Sequence, residues 1–181
     1  MYYFNKMFFA ILFGIIDIAL LSFTVVQFYN VIIRGLPPFL PTQNVMIAKA
    51  VENIRLDRRD VVYELGCGRA KFLRNLAHRF PEAEYVGIEY SFLPYSLAYL
   101  QILISRLPVR LIKDNFFKID LARATVLYFY LLPETMRRLS LKIKQECRPG
   151  TRVISYQFSL PDLDLERISI YKNKRLYFYR V

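Results

Sequence analysis

The sequence predicts an α/β domain with a mostly parallel sheet and an antiparallel C-terminal hairpin, preceded by one N-terminal transmembrane helix. Three observations support this fold class. Residues 8–33 are mostly apolar with Asp17 as the only charge, strand and helix patterns alternate from residue 60 onward, and two glycines follow the first strand in the stretch ELGCG. Alternating strands and helices indicate a parallel sheet that is covered by helices on both faces.

Residues 8–33 are long enough to cross a bilayer core as a tilted helix. A cleaved signal peptide would have a shorter apolar region and a small-residue cleavage site, so we expect an uncleaved membrane anchor rather than a buried core helix. Asp17 is costly in lipid unless it is protonated or paired. It either contacts a polar group of a partner membrane helix or bonds within its own helix, and the sequence leaves both interpretations open.

The net charge of +11 belongs to the chain after this apolar stretch, because Lys6 and Asp17 cancel each other. Lys6 and the amino terminus precede the anchor, whereas five cations follow it closely: Arg34, Lys49, Arg55, Arg58 and Arg59. This asymmetry predicts a single-pass protein with its folded domain in the cytoplasm. We expect the basic face to meet anionic lipid headgroups, and nucleic acid is the less favoured partner for the same charge.

The stretch GLPPFLPT after the anchor cannot continue a helix and predicts an extended linker. A short helix, VMIAKAVENI, follows it. The patterns then predict strands and helices in alternation, closed by a hairpin around Asn173: strands 60–64, 83–89, 109–113, 125–131 and 151–158, and helices 69–80, 91–107 and 133–147. We divide the chain into an anchor (1–34), a linker with a pre-domain helix (35–58) and a ligand-binding domain (59–181).

Three common kinds of site are not supported. Lys71 stands where a dinucleotide-binding GxGxxG loop requires glycine or alanine. A P-loop of the form GxxxxGK[ST] does not occur in the sequence. The two cysteines lie far apart and His78 is the single histidine, so neither a zinc site nor a histidine-based triad is expected.

The glycine loop suits a nucleotide-like cofactor. Gly66 and Gly68 allow a sharp turn and a close approach of the backbone to a ligand, which in such sheets lies at the carboxyl ends of the strands. Glu89 ends the second strand, where a carboxylate can bind both hydroxyls of a ribose. Joined to Asp114 after the third strand, the pattern is similar to the S-adenosylmethionine loop of class I methyltransferases, which have a Rossmann-like fold.

A closer resemblance covers nearly the whole chain. The segments PPFLPT, VVYELGCG, VGIEYSFLPYSLA, KDNFF, LLPE and PGTRVISYQFSLP resemble a family of small membrane-anchored protein-lysine methyltransferases. That family includes the mitochondrial enzymes acting on the ATP synthase c subunit and on the adenine nucleotide translocase. The resemblance implies an enzyme that uses S-adenosyl-L-methionine to methylate a lysine of a membrane protein.

The resemblance also implies site residues, and we expect their neighbours in the same site. The cofactor side comprises Glu64 at the methionine end, Gly66, Cys67 and Gly68 in the loop, Glu89 and Tyr90 at the ribose, and Asp114 and Asn115 near the adenine. The substrate side comprises Phe39, Pro41, Thr42 and Pro133. Arg69 and Ala70 depart from the family, which usually has an Asp and a third glycine there.

Two residues are candidates for catalysis. Tyr130 would orient the substrate amine and Glu134 would accept its proton, with Phe39 as a lid over an apolar pocket that favours the neutral amine. Alternatively, Tyr130 is a core residue of the fourth strand and Glu134 stabilises the first turn of a helix.

Three functions are consistent with these observations. The first is methylation of a membrane-protein lysine. The second is methylation of a lipid headgroup, a lipophilic small molecule or RNA. The third is a non-catalytic cofactor-fold protein of a membrane complex, which Arg69 and Ala70 would explain.

Overall fold

The computed structural model describes residues 2–32 and 44–181. The chain divides into two compact units, Met1–Leu40 and Pro41–Val181. The predicted substrate-side residues Phe39, Pro41 and Thr42 lie outside the described residues.

The first unit contains one helix, α1 (Tyr2–Ile32), in its described part. Its stretch Lys6–Val26 has 21 residues with a mean hydropathy of 2.5, and is long and apolar enough to cross a membrane. Asp17 lies near the middle of this stretch. A partner helix for Asp17 stays a prediction.

The second unit is built on a seven-stranded sheet with the strand order β3-β2-β1-β4-β5-β7-β6. Strands β1 to β5 are parallel to one another, whereas β7 is antiparallel to both β5 and β6. The predicted mixed sheet is therefore confirmed. The elements are α2 (Asn44–Glu52), β1 (Val61–Leu65), α3 (Lys71–Arg79), β2 (Glu84–Ile88), α4 (Phe92–Ser105), β3 (Val109–Ile112), β4 (Val126–Phe129), α5 (Pro133–Glu146), β5 (Arg152–Tyr156), β6 (Leu165–Tyr171) and β7 (Lys174–Arg180).

Helices cover both faces of the sheet. Helices α2, α3 and α4 share one hydrophobic core, in which the Phe72 ring stacks on Tyr128 with ring centroids 3.7 Å apart. Helix α5 packs on the opposite face through Met136, Leu139 and Ile143. Strand β4 lies between these cores and is buried along its length, as expected for a central parallel strand.

Helix α2 packs into the same core as α3, so the second unit includes it. Its buried residues are Met46, Ile47, Ala50 and Val51, whereas Val45 is exposed. The buried positions follow the spacing of three and four residues that places side chains on one face of a helix.

Two connections contain little regular structure, which leaves the domain small. Between β3 and β4 lies a single 3-10 turn, Phe116–Lys118, and the segment from Gln157 to Asp164 contains no helix. Strand β4 ends at Phe129 rather than at the predicted residue 131. Phe129 pairs with Leu65, the last residue of β1, and the chain then turns into α5, which begins at Pro133.

Candidate functional site

The glycine loop after β1 is bonded to the neighbouring strand β2. The backbone N–H groups of Gly66 and Cys67 both donate to the carbonyl oxygen of Ile88, each at 2.9 Å. Gly66 and Gly68 have φ angles of +70° and +56°, a region that favours glycine. A Cβ atom on Gly66 would lie 3.0 Å from Leu131 Cδ2. The loop therefore needs glycine at residue 66 for both conformation and space.

Glu89 ties this loop to the start of α4. Its buried carboxylate accepts hydrogen bonds from Gly68 N–H at Oε2 and from Ser91 N–H at Oε1, both at 2.8 Å. Each carboxylate oxygen has two lone pairs, so one on each remains after these bonds. Glu89 can thus position the loop and accept further donors, such as a pair of ribose hydroxyls.

Glu64 is the second buried acid at this edge of the sheet. Burial raises the pKa of Glu64 well above its usual 4.5, and the nearby Glu89 adds to the effect, while a hydrogen bond to the Leu73 backbone and the charge of Arg74 oppose it. Its Oε2 has no hydrogen-bond partner among the described residues. A buried acceptor without a donor is costly, so Glu64 is suited to a ligand with a positively charged donor.

Cys67 fills the space beside a glycine of β2. A Cβ atom on Gly87 would lie 2.9 Å from Cys67 Sγ and 2.8 Å from Leu111 Cδ2, so no larger residue fits at position 87. Burial raises the pKa of the Cys67 thiol well above its usual range. Its side chain therefore acts in packing, and its place in the predicted cofactor set depends on the backbone of the loop.

The two residues that depart from the family occupy different environments. Arg69 is exposed, whereas Ala70 is fully buried and precedes α3 with φ 50° and ψ 34°. This left-handed conformation is unfavourable for alanine and favourable for glycine. The Ala70 N–H nevertheless donates to the carbonyl of Cys67 at 2.7 Å, so the loop keeps its turn.

The end of β3 completes the row of strand ends. Glu89 N–H donates to Ile112 O at 3.0 Å, which brings β2 and β3 together at this point. Asp114 Oδ1 accepts from Asn115 N–H at 2.6 Å, and Asn115 Oδ1 caps the 3-10 turn by accepting from Phe117 N–H at 2.9 Å. Both side chains are half-buried, and Tyr90, the residue after Glu89, is exposed.

The ends of β4 and β5 form an aromatic group. The ring centroid of Tyr130 lies 4.5 Å from that of Tyr156 and 6.5 Å from that of Phe158. Ser155 holds the turn by donating to Phe158 O at 2.5 Å, and Gln157 has a left-handed φ of 74°. This aromatic trio of Tyr130, Tyr156 and Phe158 forms an apolar wall at the same edge as the glycine loop.

Glu134 and Pro133 lie in the first turn of α5 and are exposed. Glu134 can therefore stabilise the helix terminus, and it is open to solvent for proton exchange.

Sequence reasoning missed three residues. Arg74 lies near Glu64, with its Nε buried and without a hydrogen-bond partner in the described part of the chain. Gly87 carried no signal, because a glycine inside a strand pattern predicts close packing only once its neighbours are known. Gln157, whose Oε1 is buried and also unpaired within the described ranges, stood inside the quoted segment VISYQF without being singled out.

Comparisons with known proteins show the family of this chain. The ANTKMT methyltransferase domain family matches residues 64–167. A protein-lysine N-methyltransferase of Saccharolobus islandicus (strain REY15A) is 31% identical over 125 residues, which cover 68% of this chain and 78% of that protein.

Solved structures share the fold. An RNA methyltransferase from Salinibacter ruber in complex with S-adenosyl-L-homocysteine has a TM-score of 0.74 and 25% identity, covering 78% of this chain and 94% of that one. A precorrin-6y C5,15-methyltransferase from Geobacter metallireducens has a TM-score of 0.65 at 10% identity, covering 81% of this chain and 92% of that one, and shows the fold alone.

Proposed function

This chain belongs to the ANTKMT methyltransferase domain family, and we propose that it N-methylates a lysine of a membrane protein close to the bilayer. The observation that carries the proposal is the 31% identity to a protein-lysine N-methyltransferase, which covers 68% of this chain. The apolar helix α1 supports a substrate in the membrane, because it is long and apolar enough to cross one.

S-adenosylmethionine is the cofactor of this methyltransferase. The structure fits it at two points: Glu89 keeps acceptor capacity for ribose hydroxyls, and Glu64 Oε2 lacks the donor that a methionine ammonium would provide. We propose that Gly66 and Gly68 approach the cofactor through their backbone, and that Tyr90, Asp114 and Asn115 face its adenosine end. When bound, the cofactor supplies an electrophilic methyl group, which the lysine nitrogen takes as the C–S bond breaks.

The chain's own residues would prepare the lysine. A lysine amine must lose its proton before it can attack, and an apolar wall favours the neutral form. The aromatic trio provides such a wall. The buried Gln157 Oε1 can accept a hydrogen bond from the amine, and Glu134 can pass the released proton to solvent.

We further propose that α1 spans the membrane with the second unit on the cytoplasmic side. The cations that follow the anchor favour this orientation. Protease added outside intact cells should leave the methyltransferase domain uncleaved. Cleavage of the domain without permeabilisation would show that it lies on the other side of the membrane.

The decisive experiment labels membranes that contain the protein with a radioactive methyl group from S-adenosylmethionine. We expect label in a protein band that yields methyllysine on hydrolysis. Label confined to extracted lipid or to RNA would instead support the second function that the sequence leaves open, and the RNA methyltransferase among the similar structures makes the RNA fraction a necessary measurement.

Two variants complete this experiment. Glu89→Ala should lose the label because the loop and the ribose acceptor are both lost, whereas Glu82→Ala changes an exposed glutamate before β2 and should keep it. Gln157→Ala should raise KM for the lysine substrate while the affinity for S-adenosylhomocysteine stays constant. A change in cofactor affinity would instead place Gln157 at the cofactor.

A further inference from the structure

Helix α4 presents an apolar surface outward. Its exposed residues include Phe92, Leu103 and Ile104, whose exposed fractions are 69%, 62% and 73%, and the same surface contains Leu93, Leu97, Tyr99 and Leu100. Ala98 and Ile102 are the buried residues of this helix. A helix on the outside of a domain in water normally has a polar outer face, and contiguous apolar surface marks an interaction site.

The charged residues within this segment of the chain are of one sign. No acidic residue lies between Glu89 and Asp114, whereas Arg106, Arg110 and Lys113 follow the helix and are exposed. Lys113 Nζ lies 5.1 Å from the ring centroid of Phe92, so a cation adjoins the apolar surface at its first turn. An apolar face bordered by cations is typical of helices that lie in the interface of an anionic bilayer.

The border of α4 with β3 has the same character. A groove between the two elements is lined by Tyr95, Tyr99, Arg106 and Arg110, among others. The rings of Tyr95 and Tyr99 stack with centroids 6.5 Å apart. Tyrosine is enriched where an apolar medium meets water, because its ring is apolar and its hydroxyl is polar. This border therefore suits the headgroup region of a membrane.

We propose that α4 inserts its outer face into the interface of a bilayer that contains anionic lipid. A second copy of the chain fits less well, because a symmetric contact through this face would bring its bordering cations together without acids to offset them. The inference rests on the proposed membrane location of the enzyme, and it adds a membrane contact that belongs to the methyltransferase domain rather than to α1.

The consequence for function is orientation. Helix α4 begins three residues after Glu89, at the edge of the sheet that contains the glycine loop. Docking of this helix would hold that edge close to the lipid headgroups. The enzyme would then act on lysines near the membrane surface, and lysines far from it would be poor substrates.

The test uses the full chain in vesicles of phosphatidylcholine and phosphatidylglycerol with brominated acyl chains, which quench bimane fluorescence. Bimane is attached through Ile104→Cys on α4, through Leu141→Cys on α5 as the exposed control on the opposite face, and through Ile16→Cys on α1. The native thiols should react slowly, because both are buried and burial raises the pKa of Cys147 to about 12.

We expect severalfold stronger quenching at residue 104 than at residue 141, and weaker quenching at 104 in vesicles of phosphatidylcholine alone. Equal values at 104 and 141 would overturn the docking of α4. Quenching at 16 without quenching at 104 leaves the proposed anchor intact and removes only this inference, whereas no quenching at either residue removes both.

Two further measurements separate lipid from a second copy. The double change Leu100→Glu with Phe92→Glu should abolish quenching at 104, while binding of S-adenosylhomocysteine shows that the domain is still folded. Quenching at 104 should not change as the protein is diluted in lipid. Disulfide crosslinking of the Ile104→Cys protein, with quenching that depends on protein density, would assign the surface to a second copy and overturn the proposal.

Discussion

Two consecutive strand–helix pairs of one sheet, β1–α3 and β2–α4, have the same topology but face different surroundings. A buried acid lies near the end of each strand, Glu64 in β1 and Glu89 directly after β2. Both helices pack on the same face of the sheet. Helix α3 buries Phe72, Leu73, Leu76 and Ala77 and exposes Lys71, Asn75, His78 and Arg79. Helix α4 buries Ala98 and Ile102 and exposes mostly apolar residues.

The difference shows that similar topology does not imply a similar environment. The outer face of α3 is suited to water, and that of α4 to an apolar medium. The acids differ as well. The carboxylate of Glu89 has a backbone donor on each oxygen, whereas Glu64 Oε2 has none within the described residues. In β1–α3, Glu64 is therefore suited to a positively charged donor. In β2–α4, the outer face of the helix is suited to contact with an apolar medium.

The largest expected effect separates the two helices by stability. Leu76→Ala removes a fully buried side chain and should lower the free energy of unfolding by about 2–5 kcal/mol. Leu100→Ala changes a half-exposed side chain and should change it by less than about 0.5 kcal/mol. Urea unfolding of the full chain in mild detergent measures both. A comparable loss in the two variants would show that the outer face of α4 is covered within the protein.

The next effect concerns Glu89, the acid that follows β2. Glu89→Ala removes the proposed acceptor of ribose hydroxyls and also removes the carboxylate that accepts from the N–H groups of Gly68 and Ser91. Charge-assisted hydrogen bonds contribute about 1.5–3 kcal/mol each, so Kd for S-adenosylmethionine should rise at least about tenfold. Calorimetric titration measures it, with Glu82→Ala as the control that should bind normally. Unchanged affinity in Glu89→Ala would remove Glu89 from the cofactor site.

For Glu64, the acid of β1, we expect a smaller effect on the free energy of unfolding, and this effect depends on pH. Since burial raises the pKa of Glu64 in the folded chain above 4.5, its neutral form is favoured on folding. Its contribution to stability is complete below pH 4.5 and is lost as the pH rises through the folded pKa.

In the absence of cofactor, Glu64→Gln should remove this contribution to the pH dependence of stability. The free energy of unfolding, followed in urea from pH 4.5 upward, should therefore fall more steeply for the original protein than for the variant. Parallel curves would mean that Glu64 is ionised in the folded chain.

The smallest effect compares two left-handed residues, Ala70 before α3 and Arg106 after α4, with φ angles of 50° and 52°. Glycine relieves about 1–2 kcal/mol of strain at such positions and costs about 0.4–1 kcal/mol through the unfolded chain. Arg106→Gly should therefore stabilise slightly. Ala70→Gly also loses a buried methyl group, worth about 0.8 kcal/mol, and should be near neutral. A clearly stabilised Ala70→Gly protein would show that the methyl group is poorly packed.

Much of the fold could be predicted from the sequence. Strand and helix positions agreed with the structure to within about two residues at most ends, because apolar periodicity and the breaks at Pro81, Pro108 and the segment RPG are local signals. The absence of a full helix between β3 and β4 followed from the length of that segment alone. The glycines of the loop and the acids at the strand ends were also visible, since their spacing is a property of the chain.

Other features depend on residues that are distant in sequence. Glu89 bonds to Gly68 across 21 positions, and the space above Gly87 is closed by Cys67 and Leu111. The contact between the rings of Tyr130 and Tyr156 likewise arises from how the elements are placed. No local pattern contains these contacts.

Helix α4 shows both what the sequence determines and what depends on the tertiary structure. Its composition fully accounts for a helix of apolar residues that begins near Ser91 and ends before Pro108, because helix formation and its termination are local. Composition would also have suggested burial. The position of α4 over the edge strand β3 leaves its outer side uncovered, because burial depends on which neighbours the sheet order supplies.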